Sequence, residues 1–159
     1  MGEIVSEEPM QIATSDLRES LKTELGTYTE SSFRNQGNTK CLFAVHQVAD
    51  DHLLIEISCL NIKLESMWAG EWQSTWNLKG GQLSGDLKIK SHYFEMGNMQ
   101  FTLDKTFDSI PVKDASSAKD IIAAIKKTED KVSKNFWCNF ENSTKMNLKK
   151  CTKIFKKIC

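Results

Sequence analysis

The chain has 159 residues, 26% of them charged and 40% hydrophobic, and its formal net charge is zero. That length suits one domain with a real core rather than two, and with only two prolines, Pro9 and Pro111, the composition excludes a mostly disordered chain. The zero total hides an asymmetry: residues 1–80 carry 6 Lys/Arg against 12 Asp/Glu, and residues 81–159 carry 15 against 9.

Residues 1–14 are polar and acidic and are expected to fray. The opening Met1-Gly2-Glu3-Ile4-Val5-Ser6 fits the myristoylation pattern, but the pattern is short and no basic cluster follows to supply a second anchor. From Thr14 or Ser15, a capped, short amphipathic helix is expected, with Leu17, Leu21 and Leu25 on one face and Gly26 as its stop. Asn35-Gln36-Gly37-Asn38 is a turn, and strands follow at short intervals. The first is Cys41 to Ala49, Asp50-Asp51 turns the chain, and the second is His52 to Ile62, with Leu53, Ile55, Ile57 and Cys59 on one face. A third runs from Trp68 to Leu78. In the fourth, Leu83 to Phe94, Leu87, Ile89 and Tyr93 alternate with Lys88, Lys90 and His92. Glu95-Met96-Gly97-Asn98 is a hairpin signal, and a fifth strand places Met99, Phe101 and Leu103 on one side. None of the connections is long enough for a helical crossover, so the sheet is an antiparallel meander.

Beyond Pro111, Ser117 caps a second helix, with Asp120 completing an approximate capping box. Ala118, Ile121, Ile122, Ile125, Val132, Phe136 and Phe140 form an apolar stripe over about 24 residues, or roughly 36 Å, enough to cross a whole sheet. The expected fold is therefore α+β: a five-stranded antiparallel meander preceded by a short helix and covered by one long C-terminal helix, in a single domain spanning 1–159. Residues 143–159 form a basic tail. After Glu141 the only charged residues are Lys145, Lys149, Lys150, Lys153, Lys156 and Lys157, while Leu148, Cys151, Ile154, Phe155 and Ile158 share one helical face. A short basic amphipathic segment of this kind suits an acidic protein, an anionic membrane or a calmodulin-like partner.

Chemistry that needs converging groups finds little support. The five cysteines, Cys41, Cys59, Cys138, Cys151 and Cys159, have neither C-x-x-C nor zinc spacing, so no metal site is expected. With no secretory segment and no long apolar run, free thiols in a reducing cytosol are expected, where the Asn142-Ser143-Thr144 sequon would be inert. There is no G-x-S-x-G, P-loop, H-E-x-x-H or dinucleotide fingerprint. A thiol and base pair between His46, His52 or His92 and Cys41 or Cys59 is conceivable, but a sheet holding these residues brings some together by chance. No catalytic residue, no cofactor and no nucleic-acid partner is expected, and Glu56, Glu65 and Glu71 read as outward strand carboxylates.

Trp68, Trp72 and Trp76 fall on one face of the third strand and, with Tyr93 and Phe101, are the candidate core or subunit-interface aromatics. Met67-Trp68-Ala69-Gly70-Glu71-Trp72-Gln73-Ser74-Thr75-Trp76 resembles the N-F-W-N-G-x-W-x-S-x-W signature of F-actin capping protein α subunits. Downstream, Leu87-Lys88-Ile89-Lys90-Ser91-His92-Tyr93-Phe94-Glu95-Met96-Gly97-Asn98-Met99-Gln100 resembles that family's L-K-I-x-x-H-Y-[YF]-E-x-G-N-V-x-L. Two extended matches in the right order are far more specific than either alone, and weaker similarity runs from about Asp16 to Lys150.

The resemblance implies a sheet that pairs edge to edge with that of a capping protein β subunit. It also implies a cytoplasmic, cytoskeletal heterodimer that sits on the actin barbed end and blocks subunit exchange. It implies two departures as well. Family members carry a helical stalk of roughly a hundred residues before this chain's start, a domain-sized segment. Leu148-Lys149-Lys150 resembles only the beginning of the family's L-R-R-x-L-P-V-T-R actin-contacting stretch, so the C-terminal extension is expected to be missing. Carried over without gaps, Lys150 and Lys156 stand where the family places actin-contacting arginines, supported by Lys149; Lys153 and Lys157 extend the same candidate set. A truncated module that pairs with the β subunit without capping, and a lipid-binding protein using the basic tail, are the alternatives.

Overall fold

The computed structural model describes residues 16–33, 39–64, 67–94 and 99–143. Two helices and five strands follow one another as α1 (Asp16–Phe33), β1 (Thr39–Ala49), β2 (His52–Lys63), β3 (Trp68–Lys79), β4 (Gln82–Tyr93), β5 (Met99–Ile110) and α2 (Ala118–Ser143). The strands lie in the order β1-β2-β3-β4-β5, each antiparallel to the next, so the meander read from the short connections is the fold.

Strict alternation sorts the side chains. Leu53, Ile55, Ile57 and Cys59 of β2, Trp72, Ser74, Trp76 and Leu78 of β3, and Leu83, Leu87, Ile89 and Ser91 of β4 are buried on one face. Both helices pack there: Leu21, Leu25, Tyr28 and Phe33 come from α1, and Ala118, Ile121, Ile122 and Ile125 from α2. The domain is thus two layers, helices on one side and an open sheet face on the other. Each fully buried Leu or Ile in the shared core contributes about 1.5–3 kcal/mol.

The helix boundaries differ in one place from the sequence expectation. Gly26 does not end α1, which continues to Phe33. A mid-helix glycine costs about 1 kcal/mol relative to alanine, and the packing of the next turns outweighs it. Tyr28 and Phe33 are buried and meet edge to face at 5.9 Å, and Phe33 lies 5.6 Å from Trp72. The Thr14/Ser15 cap, the turn at 35–38, the turn at 95–98 and the fraying of 1–14 lie outside the described residues. The start of α2 follows the expectation in part: Ser117 Oγ accepts from Asp120 N, while the backbone N–H of Ser117 donates to Asp114 O rather than to Asp120.

Turns fix the register. Gly80 and Gly81, with φ of 54° and 76°, close β3–β4 in two residues, the positive-φ hairpin geometry that glycine supplies most easily. Met67, entering β3, takes φ 57°, an uncommon conformation for a side chain of its size. In β1–β2 the register shifts between Gln47 and Ala49, a bulge that sets Cys41 opposite Cys59. Their Cα atoms are 4.1 Å apart, as in the narrow, non-hydrogen-bonded pairs of an antiparallel ladder, and a disulfide joins them. The expectation of free thiols is corrected for these two residues, because the bulge brings both onto the helix-covered face in direct opposition.

Candidate functional site

Glu129 organises the centre of the helix–sheet interface. It occupies α2 one turn beyond Ile125, on the apolar stripe, and only 1% of its surface is exposed. Three donors converge on its carboxylate: Tyr28 Oη from α1 at 2.5 Å to Oε2, and Ser74 Oγ at 2.7 Å and Trp76 Nε1 at 3.1 Å from β3, both to Oε1. Burial pushes the carboxyl above its ordinary range; the three hydrogen bonds act the other way, and neighbouring Asp130 adds to the rise. One side chain therefore ties both helices to the middle strand. It orients Trp76, whose ring stacks on Phe107 of β5 at 5.6 Å and lies over Gly85 of β4. Sequence reading passed over Glu129, although a carboxylate at a core position of an apolar helix stripe is a legible signal.

The aromatic candidates separate by place. Trp72 and Trp76 are core residues, and Trp68 stands in β3 opposite Tyr93 of β4. Tyr93, Phe101, Leu103 and Phe107 are only half-buried, although the helix-facing alternation places them on the covered side of the sheet. The helices explain this. α1 reaches β1, where Gly26 meets the Phe43 ring and Arg18 Nε donates to the Val45 carbonyl at 3.0 Å; α2 meets β3 through Glu129. Among the described residues, the helix layer thus buries the inward rows of β2, β3 and β4 and reaches β1 through α1, whereas the inward residues Phe101, Leu103 and Phe107 of β5 stay half-buried. Among the described residues β5 also ends the sheet, and no further strand meets its outward backbone groups.

The opposite face of the sheet is mixed. Leu42 is 75% exposed, and Leu60 and Ile62 are also exposed on the same side. Ion pairs run between strands there, Lys90–Glu71 at 3.0 Å and Lys88–Asp104 at 3.4 Å, and His46 Nε2 lies 3.4 Å from Glu56 Oε2. Glu56 and Glu71 point outward as expected, and Glu65 lies outside the described residues. His46, His52 and His92 stand on this face and the Cys41–Cys59 pair on the other, so no thiol–imidazole pair forms between them. Among the described residues no three His, Cys, Asp or Glu side chains stand together as a metal site, and no helix is long and apolar enough to cross a membrane. Lys149, Lys150, Lys153, Lys156 and Lys157, with the rest of the basic tail, lie outside the described residues.

Comparison with known proteins agrees with the two tryptophan- and tyrosine-bearing motifs. The sequence profile of the family described as F-actin capping protein alpha subunit matches residues 2–154. The chain is similar to the F-actin-capping protein subunit alpha of Gibberella zeae, with 27% identity over 129 residues, covering 78% of this chain and 45% of that protein. It is similar to the subunit of the same name from Kluyveromyces lactis, with 28% identity over 144 residues, covering 87% and 48%. To that of Yarrowia lipolytica it is 34% identical over 73 residues, covering 43% and 26%. The chain thus spans less than half the length of these relatives. The family is non-enzymatic. On a match over nearly its whole length, this chain belongs to the F-actin capping protein alpha subunit family.

Proposed function

We propose that this chain is one subunit of a heterodimer that caps the barbed end of F-actin, and that it joins its capping protein β subunit through β5. The observation that carries the pairing is the state of that edge. Among the described residues, Tyr93, Phe101, Leu103 and Phe107, with the exposed Lys105 between the last two, form a largely apolar row left half-buried, beside a strand with no neighbour on its far side. β1 is the poorer candidate, since α1 packs on it and Arg18 takes one of its carbonyls. A partner that adds a strand to β5 and lays a helix over the row would satisfy the backbone groups and bury the aromatics in one step. On this reading the chain acts in the cytoplasm at the actin cytoskeleton, and the tail lysines 149, 150, 153, 156 and 157 supply charge toward acidic actin surface.

The test is barbed-end elongation of pyrene-labelled actin with the chain co-purified with a capping protein β subunit. Saturating heterodimer is expected to stop barbed-end growth; growth that continues unchanged contradicts capping.

A further inference from the structure

Among the described residues, the solvent side of α2 carries Lys126, Lys127, Lys131 and Lys134, all exposed, against a single exposed carboxylate, Asp130. These lysines border one shallow depression with Ala123 and Asn135, over about 12 Å of helix at 1.5 Å rise per residue. Among the described residues none of the four makes an ion pair, whereas Lys119 of the same helix lies 4.0 Å from Glu24 of α1. Lys127 with Lys131 and Lys131 with Lys134 are four and three positions apart on one face, a like-charge spacing that destabilises a helix. Asp130, four positions from Lys126 and from Lys134 and three from Lys127, offsets part of that repulsion, and the ridge keeps a net excess of positive charge on a helix whose other side holds the buried Ile121, Ile125 and Glu129.

We infer that this lysine ridge is a preformed docking surface for an acidic protein surface. The inference rests on the proposed function, in which that surface belongs to the filament end; it adds a rigid basic element to the basic tail. An acidic protein fits the ridge better than the other polyanions. The apolar side of α2 is buried in the core and cannot enter a bilayer. Among the described residues, the depression also has no aromatic side chain on which a nucleic-acid base could stack.

The experiment uses the full chain in complex with a capping protein β subunit and compares it with the variant Lys126→Ala, Lys127→Ala, Lys131→Ala, Lys134→Ala. Alanine keeps helix propensity and the four side chains are exposed, so the melting temperature is expected to hold. Four exposed charge contacts predict barbed-end affinity roughly tenfold to a hundredfold weaker and a shallower salt dependence, with Lys→Arg at the same positions restoring both. Unchanged affinity and salt dependence in the alanine variant, with the parent complex capping normally, overturn the ridge and leave the proposed function standing. Failure of the parent complex to bind filament ends at all removes both. Binding to phosphatidylserine-containing vesicles or to a 20-base-pair DNA duplex that depends on the four lysines, while filament binding does not, overturns the choice of an acidic protein.

Discussion

Replacing Glu129 tests whether one buried carboxylate joins the two helices to the sheet. Its carboxyl is driven above the ordinary value of 4.5 by burial, with the donors Tyr28, Ser74 and Trp76 opposing and Asp130 assisting. The folded state therefore holds the proton more tightly than the unfolded chain. Stability from this group is greatest below about 4.5 and falls as pH rises toward the folded-state value, with a slope of up to about 1.4 kcal/mol per pH unit, then levels off. Glu129→Gln removes that slope. Its carbonyl oxygen can keep Ser74 and Trp76, while its amide donates to the Tyr28 oxygen, so the variant is expected within about 1 kcal/mol of the parent at neutral pH. Glu129→Leu strands three donors. The two hydroxyls can turn toward other acceptors, but the Trp76 N–H is fixed by its ring, so the expected loss is about 2–4 kcal/mol after the added apolar burial is counted. Urea unfolding followed by tryptophan fluorescence between pH 4.5 and 8 measures all three. Parallel pH profiles for the parent and Glu129→Gln, or a Leu variant as stable as the Gln variant, would refute the reasoning.

Three further outcomes are expected. Gly85→Ala drives a methyl group into the Trp76 ring and to 2.5 Å from the Thr75 carbonyl oxygen, and is expected to cost about 2–3 kcal/mol in urea unfolding; an unchanged midpoint would mean the ring does not lie there. Alkylation of the unfolded, unreduced chain is expected to spare Cys41 and Cys59 until a reductant is added. Reduction across a sequence separation of 18 is expected to lower stability by about 3 kcal/mol, and full labelling without reductant would contradict the pair. In hydrogen exchange, adding a β subunit is expected to slow β5 amides at least about tenfold while β1 changes little; protection confined to β1 would move the pairing to the other edge.

Much of this architecture was legible because the signals are local. Leu53, Ile55, Ile57 and Cys59 alternate in sequence as they do in the sheet, and Trp72 and Trp76 share a strand face because the period is two. What was not legible depends on tertiary context. A two-residue turn at Asp50-Asp51 with unbroken register would set Cys41 against Leu60 and put Cys59 out of line; the bulge between Gln47 and Ala49 moves the ladder by one and makes the disulfide. Gly26 looked like a helix stop because its intrinsic preference is clear, yet the burial of Tyr28 and Phe33 decides the boundary. The half-covered state of Phe101 and Phe107 follows from where the helices lie, which no spacing in the sequence records.

Everything proposed for function depends on the sheet being completed by another chain. Co-expression with a capping protein β subunit, followed by size-exclusion chromatography with light scattering, tests that most directly. A single 1:1 complex is expected, with the chain alone self-associating through its uncovered edge. A monodisperse monomer that shows no complex with the β subunit would contradict the account.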